Sequence, residues 1–473
     1  MRLSLLTSAL LALPAIAACG AEEGLEWNGN GDEDWHPGGK EDGMEVPLRF
    51  ASYDVLFTNP LCREYTYPTP MKTADGKDTL TTKPKNVYCS HEDVEMSAAR
   101  PESPQNRLVE WVTPLGAGDE IFLAYLSFSN KAVSAKLCDA AKRGAKVTFV
   151  LDSMSTEADK LKACGAEILL RGHAGSIGFA HNKLLMINPK GAGPADAGAD
   201  FMRMTVSSGN MSSGVVTHHE NWHFIEVARD SFFAQAHNCL MDAQISKTAS
   251  AGRTQFKTAM NNCRAAIDAD EETDIKAFFI PNRDDSKRAT AFMLGAIDDA
   301  AAIDLGAHRF GHSGLINKLE DKLAAGTLDL RMVSDDDMYW LDPVVGTGDE
   351  VGANLFFEAA NVNRLEDAGG DAFEIRYFET NHGEHLLHHN KYLLYRDDQG
   401  APFGLLAGAA NLTGTGFNDN FENIYFFKVP AVLEAFDTQF ARVWDGQKAS
   451  PDEQDPPIAT PREKMPAKDV AGQ

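Results

Sequence analysis

One sequence phrase occurs twice in this chain, and a duplicated phrase restricts it to folds made of two like halves. In the first copy, a helix-like stretch from Gln105 to Leu115 precedes the strand-like Glu120–Ser129. An amphipathic helix, Ala132–Gly144, and a buried-type strand, Ala145–Asp152, follow. The second copy keeps the order: helix-like Ala289–Ala300, strand-like Ala302–Gly311, amphipathic Leu315–Gly326 and strand Leu328–Asp337. Gly144 and Gly326 fall where a helix C-terminus favours a residue free to turn left-handed. Strands alternating with helices predict an α/β fold with mixed, largely buried sheets, built as two α/β/α repeats packed as a pseudo-twofold pair.

Each copy ends in the same short string. FAHNKLLMIN contains His181, Asn182 and Lys183, and HHNKYLLYRD contains His389, Asn390 and Lys391. On a strand, residues i and i+2 share a face, so each His is expected beside its Lys, fixed by the apolar run that follows. Downstream, SSGNMSSGVVTHHEN supplies Asn210 and Glu220, and GAANLTGTGFNDNFEN supplies Asn411 and Glu422. The Asn-to-Glu spacing is 10 and 11. The Lys-to-Asn spacing is 27 and 20, the excess matching a Gly/Pro/Ala-rich hairpin around Pro189–Asp200. With 14 histidines, a single His-x-Lys arises roughly once by chance. Two in like surroundings do not, which weighs against the alternative of satisfied core histidines beside snorkelling lysines.

These residues resemble the phospholipase D superfamily, whose signature is two His-x-Lys-x4-Asp motifs with associated Gly-Ser-x-Asn segments. The resemblance spans roughly Val46 to Gly446 and implies two α/β/α halves whose motifs meet at their interface. It further implies His181 as nucleophile and His389 as general acid, with Lys183, Lys391, Asn210 and Asn411 on phosphate oxygens. Glu220 and Glu422 would hold the far ring nitrogens of the histidines, and no metal or other cofactor is called for. The chain departs from the signature at Asn188 and Arg396, which stand at the aspartate positions, with Asp397 one residue late. It departs again at Ser207-Ser208 and Gly408-Ala409, which replace the Gly-Ser pair.

The chemistry suits those residue types. A phosphodiester repels anionic nucleophiles, and its transition state spreads charge over the equatorial oxygens. Two lysines and two amides place positive potential there, a neutral imidazole can attack, and an imidazolium can protonate the leaving alcohol. The resemblance therefore implies a metal-independent phosphodiesterase that hydrolyses or transphosphatidylates a phosphodiester through a phosphohistidine. A nuclease on the same scaffold and a catalytically silent surface-binding lipoprotein are the alternatives.

Charge and the chain ends bear on the substrate. Lys plus Arg is 44 against 69 for Asp plus Glu, a net charge of −25, which disfavours long nucleic acid but leaves room for a small cationic pocket. Met1-Arg2, the apolar Leu3–Leu13 and the small-residue exit to Ala18 read as an export signal over residues 1–18. Ile16-Ala17-Ala18-Cys19 resembles a bacterial lipobox, which would lipidate Cys19 and tether an exported protein to a cell-envelope or extracellular membrane surface, favouring phospholipid as substrate. Cleavage after Ala15-Ile16-Ala17 is the alternative and leaves Cys19 an ordinary thiol. An acidic linker over 19–45, two halves over 46–265 and 266–446, and a loose, Pro-rich tail over 447–473 complete the expected plan. Six further cysteines, an even number in an exported chain, read as disulfides. Of the possible pairings, neighbours are expected to join: Cys62–Cys89, Cys138–Cys164 and Cys239–Cys263.

The other histidines take a plainer reading. His218, His219 and His223 flank Glu220 as ordinary packing residues, and His382, His385 and His388 belong to the loop entering the second motif strand rather than to a metal cluster. Asp335-Asp336-Asp337 reads as a solvated turn, and Tyr339-Trp340 as a substrate mouth or an edge cover. Asp152 to His181 spans 29 positions and Asp335 to His389 spans 54, which predicts an insertion between Asp337 and Phe373 at the substrate rim.

Overall fold

Short apolar runs bounded by Gly, Asp and Asn become strands, and in the computed structural model they assemble into two mixed sheets. The structure describes residues 45–60, 63–65, 86–88, 91–196, 198, 200–335, 338, 351–378, 387–445 and 459–461. The expected signal and linker with Cys19, the Cys62–Cys89 pair, Asp336, Asp337, Tyr339, Trp340, His382, His385 and most of the tail lie outside them.

The first sheet takes β1 (Phe50–Phe57), β2 (Glu120–Tyr125), β3 (Lys146–Leu151), β4 (Glu167–Leu170), β5 (Lys183–Ile187), β6 (Phe201–Ser207) and β7 (Asn221–Ala228). The second takes β8 (Ile275–Ile280), β9 (Ala302–Ala307), β10 (Asp329–Asp335), β11 (Phe373–Phe378), β12 (Lys391–Arg396), β13 (Pro402–Gly408) and β14 (Glu422–Phe427), with β15 (Ala459–Pro461) at its edge. The spatial orders are β1-β7-β6-β5-β2-β3-β4 and β8-β14-β13-β12-β9-β10-β11-β15. Every strand of the first sheet thus has its counterpart seven numbers later, and the expected duplication is complete at the level of topology. In each sheet three strands run parallel, β2–β3–β4 and β9–β10–β11, while the motif strands β5 and β12 run antiparallel to β2 and β9.

Residues covered on both faces explain why these strands are apolar throughout rather than alternating. The helices that cover them are α1 (Pro104–Val112), α2 (Lys131–Lys142), α3 (Thr156–Ala163), α4 (Phe232–Ile245), α5 (Arg253–Arg264), α6 (Arg283–Asp299), α7 (Ser313–Ala324), α8 (Val351–Gly369) and α9 (Pro430–Trp444). On β5, Leu185 and Ile187 enter an outer core with Leu137 and Leu161 of α2 and α3. Leu184 and Met186 face the opposite way, into a central core shared with Leu394 of β12, Leu240 of α4 and Phe436 of α9. The second sheet has its own outer core, where Leu305 and Leu393 meet Met293 of α6 and Leu319 of α7. The two sheets are therefore joined through a common apolar layer. Asn130 and His312 cap α2 and α7 by accepting the amides of Val133 and Leu315, and Gly144 and Gly326 follow those helices at φ +98° and +66°.

Three expectations are corrected. The strand expected over Glu120–Ser129 stops at Tyr125, and that over Ala302–Gly311 stops at Ala307; beyond them Phe128 packs into the outer core of the first half and His308 lies beside His389. The tail is not wholly loose: Ala459–Pro461 pairs antiparallel with β11, whose outer edge otherwise presents unpaired backbone groups. Asp335 is no solvated turn but fully buried, because its carboxylate is committed to the backbone of the second motif. The longer connection after β10 contains α8, whose Glu358 and Asn361 hold the backbone of Phe310 just beyond β9.

The motif strands begin at their lysines; Asn188 immediately follows the first and Arg396 ends the second. Asn188 adopts a left-handed φ of 52° that leads into the hairpin; its Oδ1 accepts the Glu120 amide at 2.7 Å and its Nδ2 donates to Asp119 at 3.0 Å. Arg396 binds the buried Asp304 of β9 through Nε at 2.8 Å and Asp437 of α9 at 2.5 Å. Both departures from the signature are thus locking groups on the far side of the sheets.

Replacing Arg396 by Asp, which restores the signature residue, is expected to cost about 3 kcal/mol in chemical denaturation, since it leaves Asp304 and Asp437 facing a third carboxylate. Cys138–Cys164 and Cys239–Cys263 are both formed and close loops of 26 and 24 positions, tying α2 to α3 and α4 to α5. Removing either as a double Ala variant is expected to lower unfolding free energy by about 3 kcal/mol in the same assay.

Candidate active site

Each motif is built by its own half and completed by the other. Neither histidine lies on its strand: His181 and His389 are on the extended segments that enter β5 and β12, two residues before the strands begin. These entry segments pair across the interface. The His181 amide donates to the Phe421 carbonyl at 2.9 Å, and the His389 amide donates to the His219 carbonyl at 3.0 Å. Phe421 and His219 each precede the glutamate of their half, so the backbone pairing carries Glu422 to His181 and Glu220 to His389. His181 Nδ1 lies 2.8 Å from Glu422, and His389 Nδ1 lies 2.9 Å from Glu220. The four side chains are buried. The carboxylates stand where they were expected, behind the rings, but the assignment is crossed between halves.

Two aspartates fix the entry segments from below. Asp152, just past β3, accepts the Ala180 amide at 2.9 Å, and Asp335, at the end of β10, accepts the His388 amide at 2.7 Å. Ala180 and His388 each precede a motif histidine. The central asparagines of the motifs hold the seam itself: Asn390 Oδ1 accepts from Asn221 Nδ2 at 2.9 Å, and Asn182 Nδ2 donates at 3.3 Å to Asn423 Oδ1, which also accepts the Lys183 amide at 2.9 Å.

Lys183 and Lys391 have almost no solvent exposure, and each ammonium donates to the carbonyl of its own motif histidine, at 2.8 and 2.5 Å. Lys391 also reaches the Ser208 carbonyl of the other half at 3.3 Å. Burial lowers the Lys183 pKa to about 8, against the pull of Glu422 and Glu220. Burial and the neighbouring Lys183 bring Lys391 well below the ordinary lysine range. The mutual influence of the two lysines places both motifs in one electrostatic site. Asn210 and Asn411 follow β6 and β13, and the Oδ1 of each is buried without a partner. Gly209 precedes Asn210 because a Cβ there would lie 1.9 Å from Glu220 Oε2.

The two imidazoles are not electrostatically alike. Burial lowers the His181 pKa, opposed chiefly by Glu422. Burial takes His389 well below the ordinary range, and Lys391, His308, His218 and Lys183 push it further. Sequence reasoning missed two of these neighbours. The His308 ring, just beyond β9, is centred 4.7 Å from that of His389, and the His218 ring is centred 5.6 Å away. His308 is hidden at the end of a continuous apolar string, and His218 sits in sequence beside the packing residue His223, which bonds Tyr53 and stacks on Phe427. The local signal for His218 is its place two residues before Glu220, which Asn420 occupies before Glu422. Among the described residues, His218, Glu220 and His389 alone group three potential metal-ligand atoms, within 4.8 Å of one another. The buried ammonium groups of Lys391 and Lys183 oppose a cation at that place.

One family model and several solved structures are similar to parts of this chain. Residues 296–444 match the family described as cardiolipin synthase, PLD-like domain. Among curated proteins, none matches the sequence. Solved structures that resemble the fold include phosphatidylserine synthase from Haemophilus influenzae Rd KW20, at 11% identity over 71% of this chain and 82% of that one, TM-score 0.49. Yeast tyrosyl-DNA phosphodiesterase gives 8% identity over 67% and 85%, TM-score 0.40. Polyphosphate kinase from Porphyromonas gingivalis gives 12% identity and TM-score 0.45; 80% of this chain is covered, and it spans 52% of that protein's length. The matched segment carries one His-Asn-Lys string, that of Lys391, and the topologically equivalent half carries the other.

Proposed function

We propose that this protein is a metal-independent phosphodiesterase that works through a phosphohistidine, with phospholipid as its substrate class. The observation that carries the reading is the crossed carboxylate–imidazole pair: with each Nδ1 occupied by a glutamate of the opposite half, Nε2 is the nitrogen left for chemistry on both rings. One neutral imidazole attacks phosphorus, forming a P–N bond as the P–O bond to the leaving alcohol breaks. The opposite imidazolium gives its Nε2 proton to that oxygen. The resulting neutral imidazole then takes a proton from water, whose oxygen displaces the histidine and releases the phosphomonoester; an alcohol in place of water yields a new diester. Lys183 and Lys391 supply the fixed positive charge the equatorial oxygens require. The unpartnered amide positions of Asn210 and Asn411 add donors, since an Asn amide can present Nδ2–H at either site by flipping.

The resemblance assigns attack to His181 and proton donation to His389. One observation favours the reverse order: His389 is the imidazole held more strongly neutral, while Glu422 supports a proton on His181. The lipobox-like string ending at Cys19, together with the acidic net charge, supports phospholipid over nucleic acid.

Purified full-length protein is expected to cleave phosphatidylcholine vesicles and bis(p-nitrophenyl) phosphate but not plasmid DNA, with chelators present. Plasmid cleavage alone would transfer the proposal to the nuclease reading, and inactivity on all three would favour the binding role. H181A and H389A are each expected to lose about a thousandfold in kcat. Acid-stable quenching is unsuitable for phosphohistidine, so an alkaline quench with mass spectrometry maps the modified ring and decides between the two orders. For pH, both histidine pKa values lie below 6.5, so the protonated fraction of the donor falls as pH rises through that region. Lys183 loses its charge as pH rises through about 8. kcat/KM is therefore expected to peak below pH 6.5 and to fall toward alkali, and a plateau extending above pH 8 would contradict the assignment.

A further inference from the structure

The two half-sites differ at one matching position. Two residues before Glu422, Asn420 donates Nδ2–H to Glu422 Oε1 at 3.1 Å and accepts the Phe179 amide at 3.0 Å. His181 uses the other oxygen, Oε2, of that carboxylate. Two residues before Glu220 the matching residue is His218, whose Nδ1 lies 3.3 Å from Glu220 Oε1. That same oxygen holds His389 Nδ1 at 2.9 Å. In one half-site, then, each partner has its own carboxylate oxygen; in the other, two imidazoles share one. His218 is buried with Nε2 unpartnered, and its ring fits only because residue 214 is glycine: a Cβ there would lie 2.3 Å from His218 Nδ1. An amide offers two fixed N–H donors, whereas each nitrogen of a neutral imidazole is donor or acceptor according to the tautomer.

We propose that His218 is a positioning residue that acts on His389 through Glu220, competing for the shared oxygen and so making the two motif histidines unlike in proton affinity. The inference rests on the reading of His181 and His389 as the reacting pair. The groups acting on His389 are Glu220 at the head of β7, His218 preceding it, Lys391 on β12, Lys183 on β5 and His308 after β9, with Arg309 acting in turn on His308 and Lys391. Of these only Glu220 favours the imidazolium. His181 faces Glu422, Lys183 and Lys391, with no second imidazole on its carboxylate among the described residues. Replacing His218 by Asn reproduces the other half-site, frees Glu220 Oε1 for His389 and removes one repelling neighbour. His389 should then bind its proton at higher pH.

The test is a titration of the full chain labelled with 13C-histidine, the His389 signal being assigned by its loss in H389Q. In H218N the His389 midpoint is expected to rise by about one pH unit, with that of His181 unmoved. G214A, which displaces the His218 ring while leaving its chemistry intact, should move His389 in the same direction and guards against a folding defect peculiar to H218N. With bis(p-nitrophenyl) phosphate, the limb of the kcat/KM profile set by His389 should shift by the same amount, a change that a purely structural residue would not produce. An unmoved His389 midpoint in folded H218N overturns the proposal. A shifted midpoint in a protein that cleaves no diester would instead uphold the coupling and end the phosphodiesterase reading, so the two fail separately.

Discussion

Everything at the centre of this molecule depends on two buried contacts between a carboxylate and an imidazole, each made by residues more than 160 positions apart: His181 with Glu422, and His389 with Glu220. A carboxylate buried without a partner is costly, and so is a buried ammonium group. Neither half can therefore settle these groups alone. The apolar layer shared by the two sheets provides the driving force for docking, while the crossed pairs and the backbone bonds of the entry segments determine the angle at which docking is satisfied.

The aspartates beneath the motifs serve the same end. Asp152 and Asp335 take up the amides just before each histidine, so the segments that carry the chemistry need not be part of a regular ladder to be rigid. The asparagine contacts along the seam extend the pattern, with side-chain amides standing in for a continuous sheet between the halves. Around the lysines, two cations are held in a dry site by two glutamates and by carbonyl oxygens, which leaves positive potential available to an incoming anion.

Much of this was legible in the chain. The repeated strand–helix–strand order gave the halves, because apolar runs and amphipathic stretches are local signals, and the doubled His-Asn-Lys strings located the site because each begins a buried strand. What stayed hidden was long-range. Which glutamate meets which histidine depends on how the halves dock, and no local spacing reports that. Asp335 looked like part of an acidic turn, since its partner is a backbone amide 53 positions away. His308 was concealed by the apolar string before it, whose strand ends at Ala307, immediately before it. The edge strand at Ala459–Pro461 forms only because β11 is there to receive it, a dependence invisible in a proline-rich segment read by itself.

The mismatch between His218 and Asn420 has a meaning for ancestry as well as for chemistry. An assembly of two identical subunits about a true axis must place the same residue on both sides, so whatever tunes one reacting group tunes its mate equally. Joining both copies in a single polypeptide lifts that obligation, and each copy is then free to drift toward the role that suits it. An imidazole on one side and an amide on the other is a difference that only the single chain permits.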